Sequence, residues 1–315
     1  MVTRRAFTRI HLPASLGLLA FGNNLIAQEW TEDPSTPVRK IPKTDTHMHL
    51  FGLEVLEYPW LANAPEINKT FLPEDFIAAS RKSNIGKIVF MESGSASDSL
   101  KEIEWVIDQA EKDDRIKGIV ASGKLQAGGG IHPGIEALME TGWVKGIRGG
   151  TNAEILASQD FVKSMRLLGK HNMSMDLLTN PSLFSAIVQA VKQVPGTRFI
   201  LDHLGNPDIK NNDFDSWSTG INELAKLPNL TCKISGIITR AGKGWTIDML
   251  RPYVLHVIEQ FGPDRLVYGG DWPVVLRAGS YLSWSKAFEQ LTRQLTKEEL
   301  QKIYYENADR IYQLV

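Results

Sequence analysis

The chain has 315 residues, a formal net charge of −1 and 43% hydrophobic residues, an ordinary globular composition with ample material for one large core. The near-neutral charge gives no field to draw in nucleic acid or an acidic membrane surface, and basic patches interleaved with aromatics are absent. The single cysteine, Cys232, excludes an internal disulfide and reads as a buried spectator thiol; no Cys–His cluster of the zinc-finger kind exists.

The first thirty residues differ from the rest. Thr3-Arg4-Arg5-Ala6-Phe7-Thr8-Arg9 is a twin-arginine pattern, followed by a mostly apolar run over residues 12–27. That run is too short, and too broken by Pro13 and Asn23-Asn24, to span a bilayer stably. Residues 1–27 therefore read as an export signal of the twin-arginine type, a receptor-read address rather than a membrane anchor, which directs the protein to the periplasm. Residues 28–40 form a Pro- and Thr-bearing lead-in.

From residue 41 onward, short apolar runs alternate with helical patterns. Strands are expected over 41–46, 87–91, 118–122, 144–148, 174–178, 198–202, 229–234 and 265–268. They are continuously apolar rather than alternating, as parallel strands covered on both faces must be. Helices are expected to open at Pro73 and Ser158 and to span 99–111, 182–194, 218–227, 247–261 and 296–314, the last opening with the capping box Thr296-Lys297-Glu298-Glu299. Eight βα units predict a (β/α)8 barrel occupying residues 41–315, with a doubly wound open sheet as the alternative. No Gly-x-Gly-x-x-Gly follows any strand, and no phosphate-binding loop of the nucleotide-hydrolase kind is present.

In such a barrel, chemistry gathers where the strands end. His47 and His49 follow the first strand; residues two apart on an extended segment project the same way. Glu92 follows the second strand, Arg148 ends the fourth, Asp176 lies in the fifth, Asp202-His203 ends the sixth, Lys233 and Ser235 mark the seventh, and Asp271 follows the eighth. A barrel core wants apolar residues, so this polar ring costs stability unless it performs chemistry. His47, His49, His203 and Asp271 would converge, either on one divalent metal ion or on a water that Asp271 deprotonates. The lone His132, His171 and His256 have no strand-end placement and read as surface or helix residues.

Several motifs occur in order: Thr44-Asp45-Thr46-His47-Met48-His49, Gly146-Ile147-Arg148-Gly149, Leu201-Asp202-His203-Leu204-Gly205-Asn206-Pro207, Lys233-Ile234-Ser235-Gly236, and Tyr268-Gly269-Gly270-Asp271-Trp272-Pro273. Together they resemble the amidohydrolase-related family, in the branch holding 2-pyrone-4,6-dicarboxylate lactonase and sugar-acid lactonases. The resemblance implies a distorted TIM barrel that opens a lactone with water. By motif match it implies that His47, His49 and His203 line the site and that Asp271 is the general base. Arg148 and Lys233 match positions suited to gripping substrate oxygens, and Glu92 is a further ligand or a wall of the pocket. Two-metal members of the wider superfamily carry a carboxylated lysine where this chain has Arg148, so a binuclear site is not expected. The cofactor is either absent or a single divalent ion, zinc first, on His47, His49, His203 and Asp271.

The expected reaction is hydrolysis of a lactone, most simply that of a sugar acid. The alternatives are a metal-dependent decarboxylase of the same superfamily and, from another class, an exported binding protein without catalysis. The expected partner is a small-molecule substrate; a homo-oligomer is left open. Specificity is expected in the loops at 51–71 and 206–218, with Trp60, Trp217, Trp245 and Tyr281 as candidates to stack on a ring.

Overall fold

Eight short apolar segments form eight parallel strands, and the strand order follows the chain order. The computed structural model describes residues 41–123 and 135–314. The strands are β1 (Lys43–Met48), β2 (Ile85–Met91), β3 (Ile116–Ser122), β4 (Val144–Gly150), β5 (Ser174–Leu178), β6 (Arg198–Leu201), β7 (Leu230–Ile234) and β8 (Leu266–Tyr268). Each expected strand is present, with ends moved by at most two residues. The open-sheet alternative is excluded by closure between the first and last strands. Asp271 N donates to His47 O at 2.7 Å, His49 N donates to Trp272 O at 2.7 Å, and Met48 bridges Trp272 in parallel.

The helices are α1 (Pro73–Ser80), α2 (Ser99–Ala110), α3 (Ile135–Glu140), α4 (Ala153–Ala157), α5 (Gln159–Lys170), α6 (Phe184–Lys192), α7 (Phe214–Leu224), α8 (Ile237–Ala241), α9 (Ile247–Phe261), α10 (Tyr281–Thr292), α11 (Lys297–Gln301) and α12 (Asn307–Tyr312). Three points depart from the sequence reading. The final helix, expected unbroken over 296–314, is split by a π turn at Lys302–Glu306. Helix α7 begins at Phe214, four residues before the expected start at Ser218. Helices α3, α4, α8 and α10 were not expected at all. The twin-arginine stretch, the lead-in and His132 lie outside the described residues. Among the described residues no helix is long and apolar enough to cross a membrane.

Strand register fixes which side chains enter the barrel. Residues paired across parallel strands share a face, as do residues two apart on one strand, so the pairings Arg148–Asp176, Asp176–Ile200, Ile200–Thr231 and Lys233–Val267 place Arg148, Asp176, Ile200, Lys233 and Val267 on one face. That face is the interior: Val89, Met91, Val120, Ile200 and Val267 pack there with Ile311, Tyr312 and Leu314, separately from the larger core beneath the outer helices. The C-terminal segment closes the end where the strands begin. There Lys87 pairs with Asp309 at 3.0 Å, and Gln313 bonds to the Asn172 carbonyl. On β1 the register shifts between Asp45 and Met48. Such an irregularity re-aims side chains: Asp45 faces the outer helix α10, while His47 and His49 turn toward the barrel axis.

Candidate active site

The strand ends opposite the C-terminal segment surround a cavity of about 620 Å³. His49, Glu92, Arg148, His203 and Asp271 all line it; His47 lies just behind, fully buried. Hydrogen bonds define the histidines. His49 Nδ1 lies 2.9 Å from the Met91 carbonyl oxygen, which can only accept, so Nδ1 carries a proton and the neutral ring presents a bare Nε2. That bare nitrogen faces Asp271 Oδ1 at 3.5 Å. His47 Nε2 faces the same oxygen at 3.8 Å, with no hydrogen-bond partner among the described residues, and its Nδ1 lies 3.5 Å from Asp202 Oδ1, at the outer limit of a hydrogen bond.

A lone pair aimed at a carboxylate oxygen calls for a proton or a cation between them. The donor atoms of His47, His49 and Asp271 lie within 4.8 Å of one another. Ligands 2.0–2.1 Å from one tetrahedral ion stand roughly 3.4 Å apart, close to the 3.5 and 3.8 Å observed. The trio therefore fits a divalent metal. His203, expected as a fourth ligand, is not part of it. Its Nδ1 meets Ser235 Oγ at 2.8 Å, and its Nε2 faces Arg148 Nη2 at 3.5 Å. It groups instead with His47 and Asp202, whose carboxylate already meets Arg148 and Lys233.

Burial sets the charge states. His47 is driven well below the ordinary histidine range by burial, with His203 adding to the effect. His203 is lowered to about 4 by burial, which outweighs the nearby Asp271 and Asp202. Both are neutral at physiological pH. Burial alone would raise Asp202, but Lys233, His47 and Arg148 together hold its carboxyl well below the usual carboxylate range.

Arg148 lines the cavity, yet two arms of its fork are engaged by the protein itself. Nε donates to Asp202 Oδ2 at 3.0 Å and Nη1 to Glu92 Oε1 at 3.1 Å, leaving Nη2 on the cavity side. Glu92 also accepts from Gly94 N at 2.7 Å, which makes it a wall of the pocket. Lys233 corrects the sequence reading. It was expected to grip substrate, but it does not line the cavity. It lies one layer deeper, fully buried, with Nζ 2.6 Å from Asp176 Oδ2 and 3.0 Å from Asp202 Oδ1.

Residues 44–314 match the model of the family described as Amidohydrolase. The chain belongs to the amidohydrolase family. Its curated relatives include an L-fucono-1,5-lactonase of Burkholderia ambifaria, 25% identical over 283 residues, covering 86% of this chain and 96% of the relative. An amidohydrolase of Burkholderia multivorans solved with bound zinc superposes with a TM-score of 0.77 at 23% identity, covering 87% of this chain and 100% of that one. A probable 2-pyrone-4,6-dicarboxylic acid hydrolase of Acinetobacter baumannii, solved with citric acid, gives 0.68 at 18% identity over 86% and 99%.

Part of this amidohydrolase's cavity wall was missed in the sequence. Thr239 and Arg240 on α8, and Val274 and Arg277 after β8, line the cavity. Arg240 donates through Nε to Asn206 Oδ1 at 2.8 Å, a neutral partner. The available signal was position: Arg240 falls five residues after Ser235 in an unassigned stretch that turned out to be helical. From the loop at 206–218, only Asn206 reaches the cavity; the loop at 51–71 supplies Trp60 and Glu66. Trp217 and Tyr281 are core residues whose polar atoms bond to Leu204 O and Asp45, so neither can stack on a ligand. Trp245 packs partly buried against the core.

Proposed function

We propose that this amidohydrolase adds water to a lactone, with sugar-acid lactones as the substrate class. The observation that carries the reading is the Asp271 carboxylate at the cavity floor, facing two bare or unpartnered imidazole nitrogens. The lactonase names of relatives at 25–27% identity support it.

Asp271 takes a proton from water, and the oxygen adds to the lactone carbonyl carbon. Arg148, Arg240 and Arg277 are cationic residues lining the cavity, and Arg148 Nη2 and the Arg240 guanidinium can meet the oxygen turning negative. Collapse breaks the ring C–O bond, and the departing alkoxide recovers the proton from Asp271. The product is a hydroxy acid, and the net change is one water added. Neutral His203 meets Ser235 Oγ through Nδ1 and receives Arg148 Nη2 at Nε2, which orients that guanidinium. His47, His49 and Asp271 would hold one divalent ion, zinc first; when bound, it polarises the carbonyl and acidifies water.

The test is a pH-indicator screen of sugar lactones, with and without chelator. Asp271→Asn keeps the side-chain volume and removes the base, so turnover should fall a hundredfold or more while the unfolding midpoint holds. A variant that retains wild-type turnover on the same lactone ends the assignment.

A further inference from the structure

Lys233 is a buried charge with no part in the reaction above. Burying a charge is unfavourable even when it is paired. Its surroundings form a column along the barrel axis. On the floor side, Tyr312 of α12 donates its hydroxyl to Asp176 Oδ2 at 2.7 Å, and Ser174 Oγ donates to Asp176 Oδ1 at 3.0 Å. Lys233 Nζ donates to that same Asp176 Oδ2 at 2.6 Å and reaches Asp202 Oδ1 at 3.0 Å. The oxygen held by Lys233 is the one 3.5 Å from His47 Nδ1. Asp176, Lys233, Asp202 and His47 are all 0% exposed, so no water competes for these contacts.

Two carboxylates flank the His47 ring: Asp202 lies 3.5 Å from Nδ1 and Asp271 lies 3.8 Å from Nε2. If the proton lay on Nε2, His47 could neither bind a metal there nor accept from water. We propose that Lys233 is a positioning residue: braced by Asp176 and Tyr312, it holds Asp202 against His47 and keeps that imidazole's proton on Nδ1, leaving Nε2 free toward Asp271. An outer carboxylate that fixes a ligand histidine's tautomer is a general device of metal sites; here its brace runs through the barrel to the C-terminal helix. The proposal rests on the lactonase reading only in calling the site catalytic.

The test is an NMR experiment on the full chain with 15N-labelled histidine and divalent metal removed by chelator. Long-range proton–nitrogen correlations show which ring nitrogen bears the proton, and a His47→Gln spectrum identifies the His47 signal. Wild type should show the Nδ1–H form. Lys233→Met should move at least half of the population to Nε2–H and weaken zinc binding tenfold or more. Tyr312→Phe, which deletes one hydroxyl and keeps the ring, should move a smaller share. On a hydrolysed lactone, both variants should lower kcat with KM within twofold. An unmoved His47 pattern overturns the proposal, whatever happens to turnover. If Lys233→Met does not fold, Tyr312→Phe decides alone: wild-type tautomer and zinc affinity overturn it. A wild type that opens no lactone would end the functional reading and leave this one standing on its spectra.

Discussion

Asp271 adopts a left-handed backbone (φ 54°), and so do His203 (φ 53°), Leu204 (φ 56°) and Asn206 (φ 58°). Each such residue costs on the order of 1–3 kcal/mol and persists only where its surroundings insist. Asp271 is held on both sides, its N–H donating to His47 O and its carbonyl accepting from Val275 N, both at 2.7 Å. Asn206 is held by Thr179 O and by Arg240. This strain aims the carboxylate and the imidazole into the cavity rather than along the strands. Among the described residues Arg240 has one neutral side-chain hydrogen-bond partner, whereas Arg148 meets two carboxylates. Arg240→Gln should therefore raise KM about tenfold or more for the lactone found in the screen, the loss expected on removing a hydrogen bond to a charged group. Steady-state kinetics measure it, and an unchanged KM removes Arg240 from substrate contact.

At the scale of elements, the decisive one is the seam between β1 and the segment after β8. Asp45 Oδ1 accepts from His47 N at 3.0 Å and Gly270 N at 2.8 Å, and Oδ2 accepts from Tyr281 OH at 2.7 Å. One outward-facing carboxylate thus ties the backbones beside His47 and Asp271 to α10. Asp45→Ala would leave three buried donors without acceptors, at about 1–3 kcal/mol each. The denaturation midpoint should fall by several kcal/mol equivalent, while Asp45→Asn, which can still accept, should lose far less. Equal losses in the two variants would refute the seam argument. The seam also shows what the sequence could tell. The strands were legible because each is a short apolar run, and His47 and His49 were legible because i and i+2 share a face. Helix α10 was not, although Ser280 caps it and Tyr281, Trp284, Phe288 and Leu291 recur at helical spacing; its Ser, Lys, Glu and Gln residues dilute the apolar signal. Lys233 was misread for a different reason. Periodicity tells inside from outside, but not how deep in a barrel a side chain sits.

For the whole molecule, burial of neutral histidines couples stability to pH. His203 has a folded value of about 4 against roughly 6.5 when unfolded. Between those values the unfolded chain binds more protons, so stability falls as pH drops from about 6.5 to 4 and recovers as it rises. Asp45, raised to about 6 by burial, works in the opposite sense: its protonated form is favoured in the fold, and stability is lost as pH rises from about 4 to 6. Because the two overlap, the wild-type slope isolates neither. His203→Gln, unfolded by denaturant in the presence of chelator, should reduce the slope near pH 5 by about 1 kcal/mol per pH unit. An unchanged slope would show that His203 is not held neutral.

The axial column gives the protein a property in time as well as space. The groups that converge on the site are scattered along the chain: Asp45 bonds to Tyr281 across 236 positions, and Asp176 to Tyr312 across 136. On the ribosome, His47 and His49 emerge long before Asp271 exists, and Lys233 has no floor beneath it until α12 follows. A nascent chain short of residue 312 therefore carries the parts of a reactive site without a working one.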